Sequence, residues 1–161
     1  MTNTETGKET DNKPMARVKT PIYRSKRMVI FGCGIVGARL AVKLSEAGNL
    51  IKIIDDNAEA FKKLPIKRVE ATSIVPILGD GTKENDLRKA SAHECDVFLA
   101  LTENTTVNLI SAQIAMYNIR VPRVLCLVDD EKLCDIYNEL GLEVISPDSL
   151  LVSNLYDRAN E

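Results

Sequence analysis

The 161-residue sequence has a single histidine, His93, and four cysteines without a Cys-x-x-Cys spacing, so it offers no His/Cys set for a zinc centre. Cys33, Cys95, Cys126 and Cys134 read as reduced thiols of a cytosolic protein. No apolar run approaches the roughly 20 residues that cross a bilayer. The opening MTNTETGKETDNKP lacks the apolar core of a secretory signal, so no direct membrane insertion is expected. Neither sign of charge dominates, with 21 Lys plus Arg against 23 Asp plus Glu and a net charge of -2. Nothing in that balance draws in a nucleic acid, and any bound phosphate must be held locally. Reactive machinery is missing too: there is no nucleophile elbow, no Walker-type lysine loop and no HExxH. His93 falls in a Ser91-Ala92-His93-Glu94 connection ahead of a strand, the wrong end of a sheet for a proton shuttle. The expectation is a protein that is not an enzyme.

What is present is alternation. With 45% hydrophobic residues the chain can bury one full core, and one domain is expected at this length. Residues 1–26 hold few apolar groups, and six basic residues there outnumber three acids. Such a segment cannot offset its ordering entropy and reads as a flexible polar tail. Apolar, β-branched runs then recur at Met28–Phe31, Leu50–Ile54, Ile74–Leu78, Val97–Leu101, Val124–Val128 and Glu143–Ile145. Stretches of helical spacing separate them, among them Ile35 to Leu44 before Gly48, Ala58 to Leu64, and Leu133 to Leu140 before Gly141. Continuous apolar strands alternating with helices predict an α/β, doubly wound, Rossmann-like parallel sheet of about six strands with helices on both faces. The ligand crevice of such a sheet lies beyond the carboxyl ends of its strands.

Four segments fall at that rim. In Gly32-Cys33-Gly34-Ile35-Val36-Gly37 the first glycine permits a tight turn, the second lets the backbone approach a pyrophosphate, and the third lets helix pack on strand. Free N–H groups at the helix start then attract phosphate. Asp55 closes the second strand 18 residues after Gly37, the place of an acid that accepts hydrogen bonds from both ribose hydroxyls and repels a 2′-phosphate. Beside it, Asp56 or Asn57 is expected to cap the next helix. Asp80, Gly81 and Thr82 follow the third strand, with Thr82 as a helix N-cap and Asp80 as a group for the adenine end of a nucleotide. Leu101, Thr102 and Asn104 form the turn after the fourth strand, where backbone and Thr102 can meet adenine, ribose or phosphate. Asn104 also begins an Asn-Thr-Thr triplet, read as a helix start rather than a glycosylation acceptor. Cys33 sits where a thiolate would be favoured, but reads as a small filler.

The succession GCGIVG, IIDD, ILGDGT, FLALTENTTVNL and LGLEVISPDSL resembles the RCK amino-terminal (TrkA-N type) domain of potassium channel and potassium-uptake regulators, over about residues 27 to 157. The Gly79-Asp80 pair, Leu101-Thr102 with Asn108 downstream, and Gly141 ahead of Ile145-Ser146-Pro147 are the more specific parts. The resemblance implies a non-catalytic nucleotide-sensing subunit. It would bind NAD or NADH, or alternatively AMP, ADP or ATP, and assemble as a homo-dimer or a higher ring. Its partner would be a membrane potassium channel or transporter subunit, reached from the cytoplasm. The carry-over puts phosphate on the backbone of Gly34, Ile35 and Gly37, ribose on Asp55, and adenine between Asp80-Gly81-Thr82 and Leu101-Thr102, with Asn108 structural. Ile35 and Leu127 stand where the family commonly has polar or arginine residues, which favours NAD, AMP or ADP over ATP. The resemblance implies a nucleotide domain over residues 27–146 and a crossover or dimerisation helix over 147–161, where Leu150, Leu151, Leu155 and Tyr156 give an apolar face. Against this stands the cofactor-binding half of an NAD-dependent oxidoreductase, which needs a substrate region as well.

Overall fold

The computed structural model describes residues 24–160; the sequence's polar tail lies almost wholly outside the described residues. Six strands, β1 Arg27–Phe31, β2 Leu50–Asp55, β3 Ile74–Leu78, β4 Val97–Ala100, β5 Val124–Leu127 and β6 Glu143–Ile145, form one sheet in the order β3-β2-β1-β4-β5-β6. Every pairing is parallel, as continuous apolar runs require. The order reverses between β1 and β4, so the switch point lies at the ends of those two strands.

Helices α1 Ile35–Glu46, α2 Ile66–Glu70, α3 Glu84–Lys89, α4 Thr105–Gln113, α5 Glu131–Glu139 and α6 Pro147–Ala159 fill the connections. One core, around Val29, Phe31, Ile54, Phe98 and Leu109, lies on one face of the sheet; a second, around Ile30, Ile51, Ile53, Ala41 and Leu99, lies on the other. Gly48 and Gly141 adopt positive φ just past α1 and α5, the cap conformation expected there.

Two local readings change. The segment Ala58–Lys63 winds as a 3-10 rather than an α-helix, because Asn57 caps it at one end and Pro65 forces Leu64 into extended geometry at the other. Of the two cap candidates, it is Asn57 whose side chain accepts from Glu59 N–H, at 3.0 Å. Thr82 is not an N-cap: α3 starts two residues later, from Lys83 without a side-chain cap, and Thr82 instead donates from both N–H and Oγ1 to Asp80 Oδ1. The last turn after α4 opens into a π-turn over Ile114–Asn118.

The terminal helix starts as read, with Ser146 Oγ accepting from Ser149 N–H and Pro147 in its first turn. Its first turn touches α5, where Ser149 Oγ donates to Glu131 Oε1 at 2.7 Å, but none of its residues is buried and its leucine face stays open: Leu151 is 58% and Tyr156 70% exposed.

Candidate functional site

At the switch point β1 runs into Gly32, whose φ of +103° turns the chain toward α1. A side chain at Gly32 would come within 2.9 Å of Thr102 N, so β1 and β4 can converge only over a bare α-carbon. Gly37 is needed for packing, since a Cβ there would run into the Gly32 carbonyl oxygen. Gly34 differs from both: a Cβ there would meet nothing within 4 Å. The space over Gly34 is open, although its own backbone would tolerate a side chain.

That space faces the start of α1. Of the helices with nine or more residues, α4, α5 and α6 are capped by the side chains of Asn104, Asp130 and Ser146, whereas α1 has no side-chain cap and no acid in its first turn. Its first N–H groups and the positive end of its dipole are left for an external acceptor. The chemistry of this donor set fits a phosphate.

Asp55 flanks the turn. Its Oδ2 accepts from Cys33 N–H at 2.7 Å and its Oδ1 from Asn57 N–H at 2.9 Å, so the carboxylate already organises the loop it borders. Each oxygen keeps a further lone pair for a hydroxyl donor. Together Phe31, Gly32, Gly34, Asp55, Asp56, Leu101, Thr102, Glu103, Asn104 and Val107 line a hollow of about 310 Å³. Among the described residues, three carboxylates and no Lys or Arg belong to that lining.

Thr102 is held from behind. Buried Asn108 accepts from Thr102 N–H and Oγ1 at 2.9 and 2.6 Å, and donates to the carbonyls of Thr102 and Leu127 at 2.9 and 3.1 Å. The turn after β4 is therefore rigid, and Asn104 spends its side-chain oxygen capping α4 at Val107 N–H.

The sequence-derived residues separate into groups. Gly32, Gly34, Asp55, Asp56, Leu101, Thr102 and Asn104 converge on the hollow. Cys33 is fully buried behind it, its thiol pushed up to about 11 by burial and by Asp55, which suits a filler and not a thiolate. Ile35 and Val36, 64% and 55% exposed, turn their side chains to the outer surface of α1 with Arg39, Lys43 and Lys63, leaving only their backbone toward the hollow's side. Asp80, Gly81 and Thr82 are not in the lining; the Asp80 carboxyl is held below its usual range by Thr82 and then Lys83. Gly81 supports the site indirectly, because any Cβ there would strike the ring of Phe31. Phe31, Glu103 and Val107 line the hollow without having been singled out; Phe31 as a strand's last residue and Glu103 within the Leu101–Asn104 turn were the available signals.

The comparisons with known proteins agree with this geometry. The family model described as the TrkA-N domain matches residues 28–147. The Trk system potassium uptake protein TrkA of Streptomyces coelicolor is 28% identical over 119 residues, 74% of this chain and 52% of that protein. Its namesake from Halomonas elongata is 30% identical over 131 residues, 81% of this chain and 28% of that protein. The chain thus spans about half, or less, of these relatives' length. Among solved structures, the TrkA-N domain of the inner membrane protein ybaL from Escherichia coli superposes with a TM-score of 0.69 at 13% identity, over 84% of this chain and 98% of that one. The Shewanella denitrificans Kef CTD in AMP-bound form gives 0.66 at 17%, over 80% and 76%. The GsuK channel bound to NAD gives 0.60 at 16%, over 79% and 22%. With the matched family covering the strands, the glycine turn and both rim loops, the chain belongs to the TrkA-N domain family.

Proposed function

We propose that this domain is a nucleotide sensor that breaks no bond: it binds NAD, NADH, AMP or ADP at the start of α1 and regulates a membrane potassium transport protein from the cytoplasmic side. The single observation that carries the reading is the uncapped α1 terminus facing open space over Gly34, with Asp55 beside it. The N–H groups of α1 would hold phosphate, and Asp55 would accept from the ribose hydroxyls while keeping the loop in place. The names of the Streptomyces and Halomonas relatives support the potassium side, and the AMP-bound and NAD-bound neighbours support the ligand class. With Asp55, Asp56 and Glu103 around the hollow and no cation in its lining, each added phosphate is opposed, so ATP and NADP should bind less well than AMP and NAD.

Binding would act by population shift, favouring one arrangement of subunits over another. The exposed α6 supplies the means: a 13-residue helix is marginal in water by itself, and Leu150, Leu151, Leu155 and Tyr156 would be covered by a second copy of the chain.

Mass spectrometry of the small molecule retained on purification, followed by calorimetry with NAD, NADH, AMP, ADP and ATP, tests the reading. A 1:1 binding heat with AMP or NAD supports it; silence from all five, or substrate-linked oxidation of NADH with carbonyl compounds, overturns it.

A further inference from the structure

The opposite end of the sheet holds a second feature. β2 is an apolar interior strand interrupted by one lysine, Lys52. In the parallel register Val29, Lys52 and Val75 stand side by side across β1, β2 and β3 and so project to the same face. That face is covered by the connection from α3 to β4, and α3 has only six residues, about 9 Å of helix against roughly 20 Å of strand. The cover runs out over the first half of the strands. A hollow of about 220 Å³ results, walled by Val29, Leu50, Val75, Ala90 and Cys95, with Lys52 among them.

Its polar groups are unbalanced. At the mouth Arg27 pairs with Glu94 at 3.5 Å. Lys52 makes no ion pair among the described residues; its Nζ donates to Ser91 Oγ at 2.7 Å, a neutral partner. Lys52 is only partly exposed, and the one partner its Nζ has among the described residues carries no charge. Ser91 and Thr72, both in the lining, adopt φ of +58° and +55°. Each stands one residue past a helix C-cap, at the left-handed stop of α2 and of α3, so the mouth of the hollow is formed by two helix ends.

We propose that this hollow is a second ligand site, for a small amphiphilic carboxylate whose apolar body lies against Val29, Val75 and Cys95 and whose carboxylate bridges Lys52 Nζ and Ser91 Oγ. The volume suits such a molecule, since a dry cavity of roughly 150 Å³ already accommodates benzene. An apolar wall with one charged group to fix orientation is the usual composition of a small-molecule site. The site sits at the amino ends of the strands, away from Gly34, and does not depend on the nucleotide reading.

Saturation-transfer NMR on the full chain with benzoate and phenylacetate, against benzamide and phenylacetamide, tests the proposal. The acids should bind and the amides should be weaker by about tenfold or more, the weight of a charge-assisted hydrogen bond. Lys52→Met, which keeps the length and apolar stem, should abolish the preference for acids; Val75→Phe, which fills the hollow and leaves Lys52 in place, should abolish binding of both classes. Gly34→Val should change neither. Equal binding of acids and amides to the wild-type chain, a retained preference for acids in Lys52→Met, binding of either class retained in Val75→Phe, or no transfer from either acid would overturn it.

Discussion

Gly34 and Gly37 are three positions apart and bear different duties. A Cβ at Gly37 collides with the Gly32 carbonyl, so Gly37→Ala should cost about 1–3 kcal/mol of stability, read from a urea midpoint. Gly34→Ala should leave that midpoint unchanged. Asp55→Ala removes an acceptor from Cys33 N–H and, on the proposed reading, from ribose; adenosine ligands should weaken by about 1.5–3 kcal/mol in calorimetry. Unchanged affinity would remove Asp55 from the site. The thiols give a separate check. Burial lifts Cys33 and Cys95 to about 11 and Cys126 to about 12, against 9.0 for a free thiol. The folded state holds these protons more tightly than the unfolded one, so their contribution is complete below pH 9 and is lost as pH rises through about 11 for Cys33 and Cys95 and about 12 for Cys126. At pH 8 a thiol reagent should label half-buried Cys134 first, while rapid labelling of Cys33 would contradict the buried filler. The glycine spacing and Asp55 were legible from sequence because each backbone demand there admits few residues. Phe31 and Val107 were not, because an apolar residue at an element's end looks the same whether it lines a hollow or a core.

Among elements, the β4–α4 turn shows how a rim loop is made rigid. Asn108→Ala would leave the N–H of Thr102 and the carbonyl of Leu127 without their partner, and should destabilise the domain by about 1–3 kcal/mol. In the same helix Ser111 is fully buried and its hydroxyl has no partner among the described residues. Ser111→Ala should therefore be neutral or stabilising, by up to about 1 kcal/mol on denaturant titration; a clear loss would reveal a hidden acceptor. The strands and their parallel pairing were readable because a parallel sheet buried on both faces needs unbroken apolar runs. Helix starts were harder. At Thr82 the residue type suited a cap, but a local turn closed by Asp80 competed for the same hydroxyl and moved the start of α3 downstream.

At the scale of the molecule, the parallel sheet offers two ends, and each leaves a group open: bare amides at one, and at the other a lysine with no ion-pair partner among the described residues. The exposed α6 adds a third, an apolar face without cover. If a second copy covers it, light scattering should report a dimer or larger species, and Leu151→Glu with Leu155→Glu should shift it to monomer without loss of the fold; a wild-type monomer at all concentrations would contradict pairing. That face was foreseen from the spacing of its leucines, whereas what lies against it depends on a chain outside this one. The most direct test of the whole account is calorimetric titration of AMP and NAD into the wild-type chain and into Gly34→Val, with thermal unfolding of both. The account predicts binding by the wild type, loss of at least about tenfold in the variant from a side chain filling the phosphate's place, and matching unfolding temperatures. Equal affinities in two equally stable chains would contradict it.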